Sequence, residues 1–136
     1  MNHIQFRREL FIPSSNDGLN SCLDMVYELT KQFDFDLDTS FRLHTVIIES
    51  VENAIIHGNK YMNEFLVRVL IEIFTNEILV EVEDKGEGFD VNSIPSPVEE
   101  GAIQKEGGRG IYFIKHLSLS CYTIGRGNII RIKLKR

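Results

Sequence analysis

Ile78-Leu79-Val80-Glu81-Val82-Glu83-Asp84-Lys85-Gly86-Glu87-Gly88 is a strand that runs into an acid and two glycines. Ile78, Val80 and Val82 share one face and Leu79, Glu81 and Glu83 the other, as the period of two in a strand requires. One more step of that period turns Asp84 inward with the valines. A carboxylate facing apolar surroundings is costly unless it meets a dedicated hydrogen-bond donor, and an adenine amino group is such a donor. Gly86 and Gly88 lack Cβ, so the backbone there can approach a flat ring closely and can take positive φ. An ordinary β-turn with an Asp-x-Gly signature accounts for the same residues, and this stretch alone leaves both readings open.

Outward from it, Val67 to Phe74 is a second β-rich run, joined to the first through the short polar loop Thr75-Asn76-Glu77, which predicts a hairpin. The last strand alternates Ile130, Ile132 and Leu134 with Arg131, Lys133 and Lys135, and a further strand precedes it across the Gly125-Arg126-Gly127-Asn128 turn. Such alternation describes a sheet with one apolar and one wet face. Near the N-terminus, Gln5 to Ile12 reads as a strand closed by Pro13, and Ser14-Ser15-Asn16-Asp17 supplies N-cap types for a helix to about Phe33 carrying Leu19, Leu23, Val26 and Leu29 at helical spacing. A second helix, with Leu43, Val46, Ile47, Val51, Ala54 and Ile55 on its apolar face, is expected to end near Gly58, and a third to begin at about Gly110 with Ile111, Ile114 and Leu117. A few helices beside mostly hairpin-connected strands predict an α+β fold: a two-layer α/β sandwich with a mixed, mostly antiparallel sheet and the helices on its apolar face. Phe89 to Glu106 fits no element. A segment of that length inside a compact domain is more often a functional lid than plain connection.

Two further constellations carry chemistry. Glu49, Asn53 and His57 are spaced four apart on the second helix and edge one face. A carboxylate beside a carboxamide suits a base paired with a metal ligand, since Asn offers a carbonyl oxygen to Mg²⁺, which takes few protein ligands beside phosphate oxygens. A solvated helix edge has the same composition. Gly107-Gly108-Arg109-Gly110 directly precedes the third helix, where orphan N–H groups and the positive end of the helix dipole form an anion site. It is neither a Walker A motif nor a Rossmann fingerprint, and a glycine-rich loop is its plain alternative.

Composition narrows the class. The chain has 136 residues, 43% of them hydrophobic, enough for one core and one domain over residues 1–136. A formal net charge of −5 argues against direct nucleic-acid or membrane binding, which calls for a basic surface. Cys22 and Cys121 stand far apart with no CxxC or Cys/His cluster, so idle thiols in a reducing cytoplasm are expected rather than a zinc site or a disulfide. Arg7, Arg8 and Glu9 interrupt the N-terminal apolar run, unlike a signal peptide, and no stretch approaches the ~20 apolar residues of a membrane span.

Taken in order, Glu49-x-x-x-Asn53-Ala54-x-x-His57-Gly58, Asp84-x-Gly86-x-Gly88 and Gly107-Gly108-x-Gly110 resemble the ATPase superfamily of gyrase, histidine kinases, the heat-shock chaperone and mismatch-repair proteins, over nearly the whole chain. The wording Asn53-Ala54-Ile55-Ile56-His57-Gly58 and the ending Gly110-Ile111-Tyr112-Phe113-Ile114 are most similar to the anti-sigma-factor serine kinases of bacterial stress and sporulation switches. The resemblance implies the histidine-kinase-like ATPase fold, ATP and Mg²⁺ as cofactors, and a protein serine/threonine kinase that sequesters a sigma factor and phosphorylates an anti-anti-sigma antagonist. It implies Glu49 as catalytic base, Asn53 as Mg²⁺ ligand and Asp84 bonded to the adenine amino group. Gly86, Gly88, Gly108 and Gly110 would shape the adenine and phosphate walls, and Lys105 and Arg109 are candidate γ-phosphate contacts. One departure stands out: Ile111-Tyr112 follow Gly110 where many relatives carry a further glycine. A non-catalytic nucleotide-dependent binding switch is the alternative. A detached sensor-kinase catalytic domain is disfavoured, because no phosphoacceptor helix pair precedes the motifs. A homodimer stays open.

Overall fold

The computed structural model describes residues 2–90 and 108–136. In chain order these form β1 (Ile4–Ile12), α1 (Asn16–Gln32), α2 (Leu37–Asn53), a π-helical turn (Ala54–Gly58), β2 (Val67–Phe74), β3 (Glu77–Glu83), α3 (Gly108–Leu117), β4 (Ser120–Ile124) and β5 (Ile129–Lys135). The sheet runs β1-β2-β3-β5-β4. Its four pairings are antiparallel, so among the described residues the sheet is uniform where a mixed, mostly antiparallel one was expected. β4 and β5 form a hairpin, and β5 lies antiparallel against β3.

Register puts the alternation to use. Val69 pairs with Val82 and Ile71 with Val80, while Val80 and Val82 face Ile132 and Ile130 across the other edge of β3. These side chains are buried with Val26 and Leu29 of α1, Leu43, Ile47 and Val51 of α2, and Ile111 and Ile114 of α3, in one contiguous cluster. The three helices therefore cover the apolar face. Each of the first two starts where the sequence places a cap: Ser15 Oγ accepts from Gly18 N–H at 3.3 Å and Asp36 Oδ1 from Thr39 N–H at 2.7 Å. Burial pushes the thiols of Cys22 and Cys121 up, to about 12 and about 11, which makes both poor nucleophiles. Among the described residues no helix is long and apolar enough to cross a membrane.

The opposite face of the sheet is charged and internally paired. Arg68 Nη2 donates to Glu81 Oε2, its Nε donates to Glu83 Oε1 at 2.7 Å, and its Nη1 meets Glu9 at 3.2 Å. Arg131 completes the grip on Glu81 through Nε at 2.8 Å.

Candidate functional site

The second helix does reach Gly58, but not as one α-helix. It turns π-helical after Asn53, with Asn59 N–H bonded to Ala54 O at 2.7 Å. Ile55 and Ile56 read as helical in either geometry, so the widening leaves no mark in the apolar pattern. Such π turns recur at functional sites. This one delivers Gly58 to the end of β3 and opens a cleft of about 800 Å³, within the size range of small-molecule sites. Asn53 and His57 line it on the helix side, the Asp84–Gly88 loop faces them, and Met62, Phe65 and Ile111 add apolar walls.

Asp84 follows the last residue of β3 and lies, as the period of two predicts, on the helix side of the sheet. Its carboxylate packs so closely on Gly58 that a Cβ there would come within 2.6 Å of Oδ1 and nearer still to Cγ and Oδ2. At Gly86 a Cβ would sit 2.7 Å from Gly58 O. A side chain at Gly58 would therefore displace the acid and one at Gly86 would strike the Gly58 backbone, which is a packing reason for both glycines beyond backbone freedom. Burial pushes the Asp84 carboxyl above its ordinary range. The Gly86 N–H, donating to Oδ1 at 2.7 Å, and the Arg126 charge pull it back in part, while Glu83 adds to the rise.

The loop that carries Asp84 is held from two sides, by the β4–β5 turn and by Asn59. Asp84 N–H donates to Asn128 O at 3.0 Å and Asn128 Nδ2 returns a bond to Asp84 O at 2.8 Å. Arg126 Nε caps Gly86 O at 2.9 Å. Lys85 N–H donates to the side chain of Asn59 at 2.7 Å. Gly88 takes φ +89°, and a Cβ on it would strike Arg126 O, so the β4–β5 turn packs directly on the loop. None of Asn59, Arg126 or Asn128 stood out in the sequence. The turn glycines around Arg126 mark a hairpin, and an Asn after Gly58 reads as an ordinary helix-end residue.

Glu49 lies one turn before Asn53 on α2, and its carboxylate abuts α3: a Cβ at Gly110 would be 2.5 Å from Glu49 Oε2. The glycine that sequence analysis placed before the third helix thus lies inside it, because α3 begins at Gly108. Gly108, Arg109 and Gly110 form its first turn, where N–H groups have no intrahelical acceptor. The structure therefore brings Asn53, Asp84, Gly86 and Gly88 to one cleft and sets Glu49 against Gly110 beside it. Lys105, Gly107 and the expected lid beyond Asp90 lie outside the described residues.

Comparison with known proteins bears on what this arrangement does. Residues 12–134 match the model of the histidine kinase-like ATPase domain. The chain is 31% identical over 68 residues to an anti-sigma F factor of Clostridium botulinum, covering 50% of this chain and 46% of the relative. It is 36% identical over 59 residues to an anti-sigma F factor of Clostridium beijerinckii, covering 43% and 41%. To the serine-protein kinase RsbW of Staphylococcus aureus it is 30% identical over 78 residues, covering 52% and 49%. The chain spans about half the length of the curated relatives it matches.

Proposed function

Because the chain belongs to the histidine kinase-like ATPase domain family, we propose that its cleft binds ATP and that it works as an anti-sigma-type serine/threonine protein kinase. It would hold a sigma factor and phosphorylate a small anti-anti-sigma antagonist in the bacterial cytoplasm. The observation that carries the ATP reading is Asp84: a desolvated carboxylate, walled by two glycines that leave no room for a side chain, at the edge of a nucleotide-sized cleft. The similarity to proteins named anti-sigma F factor and serine-protein kinase supports the partner class and the reaction.

In this reading Asp84 accepts from the adenine amino group, and Met62 and Phe65 give the base an apolar surface. Asn53 would hold Mg²⁺ through its carboxamide oxygen. Among the described residues no cluster of three or more His, Cys, Asp or Glu could hold a metal ion, and one carboxamide fits a cation that keeps several waters and is shared with phosphates. Bound MgATP supplies the phosphoryl group and the charge neutralisation that its transfer needs. The N–H groups of the first turn of α3 face anionic groups with the positive end of the helix dipole. Glu49 would take the proton of the partner hydroxyl as that oxygen bonds the γ-phosphorus and the bond from the phosphorus to ADP breaks.

The test is label transfer from γ-labelled ATP to a purified antagonist protein. Label on a serine or threonine of that protein, lost in Glu49→Gln, is the expected result. Tight ATP binding with no labelled protein under any condition would overturn the kinase and leave a nucleotide-dependent binding switch.

A further inference from the structure

Asn59 is 1% exposed, and its side chain touches three segments that the chain separates widely. Oδ1 accepts from Lys85 N–H at 2.7 Å, while Nδ2 donates to Ser14 Oγ at 2.9 Å and to Phe65 O at 3.0 Å. Ser14, itself buried, donates in turn to Phe65 O at 2.5 Å. One buried carboxamide thus joins the turn before α1, the 59–66 segment with its apolar cleft residues, and the loop that carries Asp84. A buried polar group saturated in this way resists displacement, since any movement leaves an unpaired donor or acceptor in the interior.

We propose that Asn59 is a positioning residue for base selection, acting through Lys85 to keep Asp84 at the place that suits adenine; this rests on reading the cleft as an ATP site. Adenine presents an amino donor where guanine presents a carbonyl acceptor, so a carboxylate fixed opposite that position attracts the first and repels the second. A carboxylate free to shift along the base edge loses the distinction, because guanine offers its own N–H donors one and two positions further round the ring. Selectivity therefore depends on the stiffness of the Asp84–Gly88 loop as well as on the acid. The loop's other ties, Arg126 and Asn128, come from the β4–β5 turn. Asn59 is the tie from the helix side, the side across which Gly58 meets the carboxylate.

The experiment measures Mg²⁺-dependent binding of ATP and of GTP by calorimetry to the full chain and to Asn59→Ala and Ser14→Ala. Both variants lose buried hydrogen bonds and should melt earlier, but only Asn59→Ala releases Lys85. The expected result is a fall of about tenfold or more in the ATP-over-GTP preference of Asn59→Ala, the worth of one buried hydrogen bond to a polar group, with the preference of Ser14→Ala close to that of the native chain. An unchanged preference in Asn59→Ala beside a lowered melting temperature would reduce Asn59 to a fold-supporting residue and overturn the proposal alone. A native chain that binds GTP as well as ATP, or neither, would instead overturn the ATP reading beneath it. Should Asn59→Ala fail to fold, hydrogen exchange in the nucleotide-free native chain decides: the Lys85 amide is expected to be protected, and exchange at the rate of an unstructured peptide would sink the preformed loop.

Discussion

Glu81 and Asp84 stand three residues apart, at the end of one strand, and the protein treats them in opposite ways. Glu81 points to the charged face of the sheet, where it is 5% exposed and gripped by Arg68 and Arg131. Burial works against its charge, yet the hydrogen bonds and charges of the two arginines outweigh it and hold the carboxyl below its ordinary range. Asp84 faces the helices, receives a backbone N–H from Gly86 and two glycine walls, and burial holds it above its ordinary range. An acid saturated by arginines has been spent on the fold. An acid half-buried with no ion pair among the described residues keeps acceptor capacity for something that arrives later, and perturbed groups of this kind concentrate at functional sites.

Three substitutions sharpen that contrast. The largest effect is expected at a third acid, Glu49, whose carboxylate lies against the first turn of α3. Glu49→Gln keeps the shape and removes the base, so phosphotransfer to the antagonist should fall by ~10²–10⁴ while calorimetry shows ATP still bound. Next is Asp84→Asn, which offers a donor where an acceptor is needed. It should weaken ATP binding by ~1.5–3 kcal/mol, and unchanged affinity would break the comparison by making Asp84 as structural as Glu81. Glu81→Gln is the mirror experiment: its ATP affinity should match the native chain, and chemical denaturation should show a loss of about 1–3 kcal/mol, because Arg68 and Arg131 lose a charged acceptor.

The contrast itself was partly legible. Period two along Ile78–Glu83 separates the two acids onto opposite faces without any structure, and the glycines at 86 and 88 mark the loop. What could not be read is who holds each acid. Arg68 and Arg131 reach Glu81 from two other strands, and that register follows from strand order rather than from local pattern. Asn59 acts through a backbone N–H twenty-six residues away and a hydroxyl forty-five residues back, and nothing in its neighbourhood distinguishes it from a surface helix end. The π turn is silent for a related reason: what it achieves, the close approach of Gly58 to Asp84, is a tertiary contact. The close fit of Gly110 to Glu49 belongs to the same class, since it needs α3 to be laid on α2.

The smallest expected effect is in the pH dependence of stability, where the two acids should pull in opposite directions. Glu81 has a folded-state carboxyl below its ordinary value of 4.5, so the unfolded chain takes up its proton first on acidification. The stabilisation that Glu81 gives is complete above that value and is lost as pH falls through the lowered folded one. Asp84 has a folded-state carboxyl above its ordinary value of 3.8, so here the folded chain binds the proton first. Its contribution is fully favourable below 3.8 and disappears as pH rises through the raised folded value, after which the ionised acid costs the nucleotide-free fold stability. Denaturation of the nucleotide-free native chain, Glu81→Gln and Asp84→Asn from about pH 3 to about pH 7 separates the two. Glu81→Gln should be less stable than the native chain at neutral pH and approach it in acid. Asp84→Asn, which can still accept from Gly86 N–H through its amide oxygen, should be more stable at neutral pH and approach the native chain in acid. An Asp84→Asn variant that is destabilised at neutral pH would mean that the charge is already compensated in the resting fold. The acid would then have no unmet demand for an adenine amino group to answer.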